Sequence, residues 1–501
     1  MTCVVMTEND DIIIRKQRDL LKRLIWLRNQ VDCEGTERFK KWESWIVRDE
    51  FIESGKNLAN YLALRKHDLR VLQRELSPLG LSSLGRLESK VLPALDAVIA
   101  SLAKISDSPK SKKYPHPDQE KIQFGQKLLK KRSNEIFGHS SSHIRIMVTL
   151  SGESADQPES IENLVIRGMD VARINCAHDD RATWEALIHH VRTASAKTGN
   201  SCRVMMDLAG PKARITGVTF PQEQKRVFSG DTIYLSDTPE LIGEDHITMK
   251  VSIPHISKML PKGMEVWIDD GKIGAKVAGH TETGCYLEVF HSGQKGTKLS
   301  HSKGINFPGI AIGRALCDTD IKNLDFMIGN ADIIGYSFIQ KAEDIDLLER
   351  EISKRVNDTF TIPLVAKIET ELAVQNLPEI IVRAAGRYPL AIMIARGDLA
   401  VEIGYERLAE IQEEILWLAE AAHIPVIWAT QVLERLVKKG VRSRAEITDA
   451  AMSVRAECVM LNKGAYVPEA IEILRDLYKR MNQHQEKKSP QLRALKSWTA
   501  I

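Results

Sequence analysis

Apolar residues change their spacing twice along the chain, dividing it into three styles. In residues 1 to 105 they recur at intervals of three and four. The clearest sets are Leu20, Leu24, Leu27 and Val31; Leu69, Leu72 and Leu76 before the breaker Ser77-Pro78; and Val91, Leu95, Val98 and Leu102. Such spacing lines one face of an α-helix, so an all-α N-terminal region is expected, packed on itself or on the next domain. Residues 106–143 hold a linker rich in proline and lysine, Ser106 to Gln119, and then a basic amphipathic stretch, Glu120 to Phe137. That stretch is expected to be a helix solvated on its lysine side.

From about residue 144, short runs that are apolar at consecutive positions alternate with helical segments. Eight runs are candidate strands: Ile146 to Leu150, Val171 to Asn175, Arg203 to Asp207, Ile333 to Phe338, Leu364 to Ile368, Ala391 to Ala395, Val426 to Thr430 and Cys458 to Asn462. Unbroken apolar runs mark strands covered on both faces. Eight β-α units in series fit a closed parallel (β/α)8 TIM barrel better than an open sheet. The gap between Asp207 and Ile333 exceeds any barrel loop. Residues 215–303 within it read as short strands with glycine turns, which predicts an inserted, small β-barrel-like domain. The barrel would then occupy 144–214 and 304–485, with a tail at 486–501.

Composition removes several classes. The chain is 43% hydrophobic and 27% charged, as soluble globular proteins are. Seventy Lys and Arg against 67 Asp and Glu leave a net charge of +3, too weak a field to draw nucleic acid or an anionic membrane. No apolar run reaches the ~18 residues of a membrane span, and the acidic start MTCVVMTENDD offers no signal-peptide core. The 7 cysteines stand singly, which argues against disulfides and zinc sites and for a reducing cytoplasm.

A TIM barrel carries its chemistry at the C-terminal ends of its strands. Reactive residues stand at those ends: Arg173, Asn175 and nearby His178; Asp207, then Lys212 and Arg214; Lys367 and Glu369; Arg396, Gly397 and Asp398; Thr430; and Asn462 with Lys463. Glu369 and Asp398, on neighbouring strands, offer the hard oxygen ligands of a Mg²⁺ or Mn²⁺ that keeps water and substrate in its other positions. Gly397 has no side chain, so backbone N–H groups there can approach a bound carboxylate. Lys367, Arg173, Arg214 and Lys303 add cations around the acidic pair. A metal ringed by cations suits a phosphorylated, anionic small molecule and phosphoryl transfer.

The segments GMDVARINCAH, DLAGPKARI, WIDDGKIG, KGINFPG, YSFIQKAED, AKIET, IMIARGDLAVEI, PVIWATQVLE, RSRAEITDAAMSV and VMLNKG resemble pyruvate kinase, in order and spacing, over residues 144 to 483. The resemblance implies the glycolytic transfer of a phosphoryl group from phosphoenolpyruvate to ADP, giving pyruvate and ATP, in a cytoplasmic homo-oligomer. In reverse it is phosphorylation of an alcohol-type acceptor. Lys367 would stabilise the moving phosphoryl group, and Glu369 and Asp398 would bind the metal. Thr430 would help protonate C3, while Arg173 and Arg214 would contact phosphate. Asn175, His178, Arg214 and Lys303 would lie on the nucleotide side, and Asp270 on a lid formed by the inserted domain.

The departures from the family pattern carry expectations of their own. Pyruvate kinases usually need K⁺, but here Ala177 replaces one of its ligands and Leu208, which could still offer its carbonyl, stands for another, while Asn175 and Asp207 remain. Lys212 stands where K⁺-dependent members have Glu; its ammonium would substitute for the ion, making activity independent of K⁺. Ser151 to Ser154 and Asn462 to Ala465 replace two nucleotide-side motifs, and Lys463 would compensate by meeting a nucleotide phosphate. Only 17 residues follow the last barrel helix, so no C-terminal regulatory domain and no activation by fructose 1,6-bisphosphate are expected. Two other functions fit the same residues: a phosphoenolpyruvate sensor without catalysis, and a lyase acting on a Mg²⁺-bound enolate.

Overall fold

The computed structural model describes residues 8–108, 114–140, 142–221, 224–238, 246–310, 313, 315–356, 361–487 and 489–490. Part of the expected linker (109–113) and most of the expected tail therefore lie outside the described residues.

All eight runs are strands of one closed parallel barrel. They are β1 (Arg145–Thr149), β2 (Val171–Asn175), β3 (Arg203–Asp207), β11 (Ile333–Tyr336), β12 (Leu364–Ile368), β13 (Leu390–Ala395), β14 (Val426–Ala429) and β15 (Cys458–Leu461), with β15 pairing back to β1. β1, β12 and β13 are buried at every position, as strands between a barrel core and a helical jacket should be. Side chains alternate between the two. Met147, Val171, Met205, Ile333, Val365, Met393, Ile427 and Met460 fill the barrel interior. Two residues further along, the same inward-facing rows carry Thr149, Arg173, Asp207, Gly335 and Lys367. The register places Asn175 and Gly335 on either side of Asp207. The catalytic candidates are thus the uppermost layer of the core.

A second sheet, inserted after β3, comprises β4 (Ile215–Thr219), β5 (Thr232–Ser236), β6 (Ile247–Val251), β7 (Glu265–Ile268), β8 (Ile273–His280), β9 (Gly284–His291) and β10 (Ile305–Asn306), in the order β10-β7-β8-β9-β5-β6-β4. It has its own apolar core, including Ile233, Leu235, Val266, Ile273 and Leu287. Its edge strands meet at the hinge. Arg214 bridges Gly304, the Ile215 N–H donates to the Lys303 carbonyl over 2.9 Å, and the Ile305 N–H donates to the Ala213 carbonyl over 3.0 Å. The sheet is barrel-like, as expected, but β10 carries it past residue 303, because Ile305 and Asn306 pair with β7.

The N-terminal region holds α1 (Glu8–Trp42), α2 (Ile52–Leu64), α3 (Arg70–Leu76), α4 (Val91–Ile105) and α5 (Gln119–Phe137). Leu20, Leu24, Leu27, Val31, Leu76, Val91, Leu95, Val98 and Leu102 are all buried, so most of the helical spacing reads the true inner faces; Leu69, just before α3, and Leu72 are half-buried against the same core. These helices cover the end of the barrel opposite the catalytic candidates. Val47 and Arg48 N–H groups donate to the carbonyl of Gly386, which precedes β13, over 2.9 and 2.8 Å. Arg132 donates to the carbonyls of Ala422 and His423, which precede β14, over 3.1 and 3.0 Å. α5 is solvated on its lysine side, as expected, with Lys121, Lys127, Lys130 and Lys131 exposed, but its far end has a further role. Its last two residues, Ile136 and Phe137, join the interior layer of the barrel and stopper its floor. Among the described residues no helix is long and apolar enough to cross a membrane.

Candidate active site

The uppermost inward layer is a row of alternating charges. Arg173 donates to Asp207 Oδ2 through Nε at 2.8 Å, with Nη2 at 2.6 Å, and its Nη1 donates to Thr149 Oγ1 at 2.9 Å. Lys367 Nζ lies 2.7 Å from Ser337 Oγ, 3.0 Å from Glu369 Oε1 and 3.4 Å from Asp207 Oδ2. Glu369 Oε2 accepts the N–H of Phe338 at 2.6 Å, and Phe338 adopts a left-handed φ of 55° to donate it. Burial disfavours the charge on Asp207, yet Arg173 and Lys367 outweigh it and hold its pKa below the usual value. Burial likewise works against the Lys367 ammonium, but Asp207 and Glu369 keep it charged. Gly335 leaves space for Asp207, since a Cβ there would lie 1.9 Å from Oδ1. That buried Oδ1 has no hydrogen-bond partner among the described residues.

The side that carries Asp398 is built by the helix that starts directly after β13, Arg396–Ile403. Arg396 stacks 4.6 Å from the Trp428 ring, pairs with Asp449, and donates to the carbonyls of Ala429 and Thr430 at 3.0 and 2.7 Å. The N–H of Gly397 donates to Thr430 Oγ1 at 2.7 Å. Thr430 has a φ of 65°, a conformation that β-branched residues avoid. The bonds from Arg396 and Gly397 hold it there. They also explain why β14 stops at Ala429 and does not run on to Thr430. The Gly397 N–H, one of the donors expected to approach a bound carboxylate, is here taken by the threonine.

Two carboxylates face each other across this layer. Burial raises the pKa of Glu369, Lys367 opposes the rise, and the like charge of Asp398 adds to it. A cation between two such oxygens relieves both penalties, so the pair suits a divalent ion. Among the described residues no group of three or more His, Cys, Asp or Glu forms a metal cluster. Two protein carboxylates, with water and substrate completing the shell, are a common arrangement for Mg²⁺. The structure places another cation here: Lys212 Nζ lies 2.6 Å from Asp398 Oδ1 and 3.8 Å from Asp270 Oδ1 of the inserted sheet. This differs from the expected position of Lys212 beside Asn175 and Asp207, where Arg173 and Lys367 already occupy Asp207 Oδ2.

The nucleotide-side candidates are less tightly drawn together. Asn175 Oδ1 accepts the Ala177 N–H at 3.2 Å. Arg214 donates to the Ser302 carbonyl at 3.0 Å, and Lys303 Nζ lies 3.0 Å from Asp269 Oδ1. His178 stands at the rim, less basic than usual through partial desolvation and the charges of Lys463 and Arg214. Ser151 to Ser154 and Lys463 to Ala465 line one cavity of about 640 Å³, together with Gln157, Asp179 and Thr183. Both unusual segments therefore meet in space.

Ser337 escapes the sequence reading, as does the partner of Arg396, Asp449, because nothing in the spacing of these residues marks the pairing. Glu402 escapes too. It is buried at the hinge, where Asn306 Nδ2 lies 3.4 Å from Oε1 and the N–H groups of Glu371 and Gly309 face it. Burial pushes its pKa up to about 7 against those donors.

The family model for the pyruvate kinase barrel domain matches residues 141–471. The chain belongs to the pyruvate kinase family. A pyruvate kinase from Thermotoga maritima is 32% identical over 336 residues, covering 66% of this chain and 69% of the relative. One from Encephalitozoon cuniculi is 32% identical over 342 residues, covering 66% and 74%. A crystal structure of a pyruvate kinase from Cryptosporidium parvum superposes with a TM-score of 0.62 at 26% identity, covering 71% of each chain. The match to the pyruvate kinase barrel begins after α5, so helices α1 to α5 lie outside it.

Proposed function

We propose that the protein transfers the phosphoryl group of phosphoenolpyruvate to ADP, giving pyruvate and ATP, with Mg²⁺ or Mn²⁺ and without K⁺. The observation that carries this reading is the meeting of Lys367, Glu369 and Asp398 at one end of the barrel. Glu369 and Asp398 would hold the divalent ion, which when bound supplies Lewis-acid polarisation of substrate oxygens. Lys367 is buried and charged, so it presents a fixed cation to the phosphoryl group while charge spreads over its equatorial oxygens. Arg173, anchored by Asp207 and Thr149, holds a second cation on the same side. Thr430 Oγ1 accepts from Gly397, which leaves its own O–H free to deliver a proton to C3 of the enolate.

Charge counting supports independence from K⁺. Arg173, Lys367 and Lys212 balance Asp207, Glu369 and Asp398, three against three. A glutamate at position 212 would leave two against four, a deficit that a monovalent ion would reduce. Lys212 supplies that charge covalently.

The test is a coupled assay for ATP formed from phosphoenolpyruvate and ADP with Mg²⁺, in tetramethylammonium buffer with and without K⁺. Turnover without K⁺ is expected. A strict K⁺ requirement overturns the ion assignment. Calorimetric binding of phosphoenolpyruvate without turnover would favour the sensor, and an absence of both binding and turnover of phosphoenolpyruvate would favour an enolate lyase.

A further inference from the structure

Lys212 is mostly buried, and its ammonium contacts Oδ1 of Asp398, one of the two carboxylates assigned above to a divalent ion. The charge of Glu369 faces it as well. The space for this placement is built in. The lysine stem crosses Gly304 at the hinge, where a Cβ would come within 2.8 Å of Lys212 Cε. Any larger residue at 304 would push the stem aside. An ammonium and a divalent ion cannot share one carboxylate oxygen at contact distance, because two cations at that separation repel strongly in a partly buried site.

We propose that Lys212 is a displaceable occupant of the divalent-metal site, and that the incoming ion shifts its ammonium from Asp398 to Asp270 of the inserted sheet. Asp270 is already 3.8 Å away and sits in the turn between β7 and β8, with a φ of 54°. Transfer of the ammonium would trade a contact within the barrel for one that reaches the inserted sheet. Metal loading thereby draws that sheet toward the barrel mouth. The proposal rests on reading Glu369 and Asp398 as the metal ligands.

The experiment measures Mn²⁺ affinity of the full chain, without substrates, from the free-ion signal in electron paramagnetic resonance. Lys212→Met is expected to tighten Mn²⁺ binding by roughly tenfold or more, because the competitor is gone. Lys212→Arg keeps the charge and is expected to bind no more tightly than the wild type. Lys303→Met removes a lysine that pairs with Asp269 instead, and is expected to change the affinity less than about twofold, which separates occupancy from general charge. Asp270→Asn is expected to weaken binding when Lys212 is present and to have no effect in the Lys212→Met background. Equal tightening by Lys303→Met overturns the proposal, as does unchanged or weaker affinity in Lys212→Met. If wild type and Lys212→Met both fail to bind Mn²⁺, the ligand assignment falls as well. If both bind equally, only the role of the lysine falls.

Discussion

The hydrogen bond from Gly397 N–H to Thr430 Oγ1, 2.7 Å long, joins the residue before Asp398, a proposed metal ligand, to a threonine in left-handed backbone geometry. Because the threonine oxygen accepts that bond, its own O–H is not spent on the helix and is left to donate elsewhere. Thr430→Ala is expected to slow solvent-deuterium exchange into the pyruvate methyl group by roughly 10²-fold, the usual contribution of a positioned acid or base. Thr430→Ser keeps the hydroxyl and is expected to retain most of the exchange. Nuclear magnetic resonance of pyruvate in D₂O follows both, and equal losses would remove the hydroxyl from the mechanism.

Glu402 makes the hinge sensitive to pH. Its folded pKa, about 7, lies above the unfolded value, so the folded state keeps a proton that the unfolded chain releases first. Stability from this group is therefore full at acid pH and is lost as pH rises toward 7, by at most ~3 kcal/mol. Glu402→Gln lacks this loss. Its stability relative to wild type is expected to climb between pH 5 and pH 8 in urea titrations, and a flat difference would contradict the buried carboxyl.

His423 carries the opposite slope. Nδ1 lies 3.0 Å from Ser54 Oγ and Nε2 lies 3.0 Å from the Ser89 carbonyl, so the ring ties the helical cap to the loop before β14. Burial, with the neighbouring Arg132 charge, lowers its pKa to about 4 although the Ser89 carbonyl works the other way. The unfolded chain takes up the proton first, so stability is full above pH ~6.5 and falls by up to ~3 kcal/mol as pH drops to about 4. His423→Gln is expected to flatten that acid limb in urea titrations between pH 4.5 and pH 7.

Lys463 is the exposed cation of the cavity formed by the two unusual segments. Lys463→Ala is expected to raise the Michaelis constant for ADP roughly tenfold, the scale of one charge-assisted hydrogen bond, while that for phosphoenolpyruvate stays within twofold. An unchanged constant for ADP would place the nucleotide phosphates elsewhere.

Most of the barrel was legible in the sequence because parallel strands buried on both faces leave unbroken apolar runs. β2, β3 and β12 begin and end where those runs do. β1 and β15 each end one residue before their runs do, at Thr149 and Leu461, and two other misplaced ends share a cause. β11 stops at Tyr336 and β14 at Ala429, and left-handed turns follow at Phe338 and Thr430, residue types that normally avoid that geometry. Site residues on strand ends could be read from the two-residue period, as Lys367 and Glu369 were. The contact of Lys212 with Asp398 could not, because 186 positions separate them and the inserted sheet helps to set it. The stopper was hidden for a simpler reason: two apolar residues closing a lysine-rich helix carry almost no periodic signal.

Ile136 and Phe137 also bear on how the protein is made. They leave the ribosome before any strand that will enclose them, and β15, which closes the cylinder, emerges last. Throughout translation the helical cap carries two greasy side chains with nowhere to go. Growing chains stalled anywhere before β15 should therefore be the forms that chaperones hold most avidly.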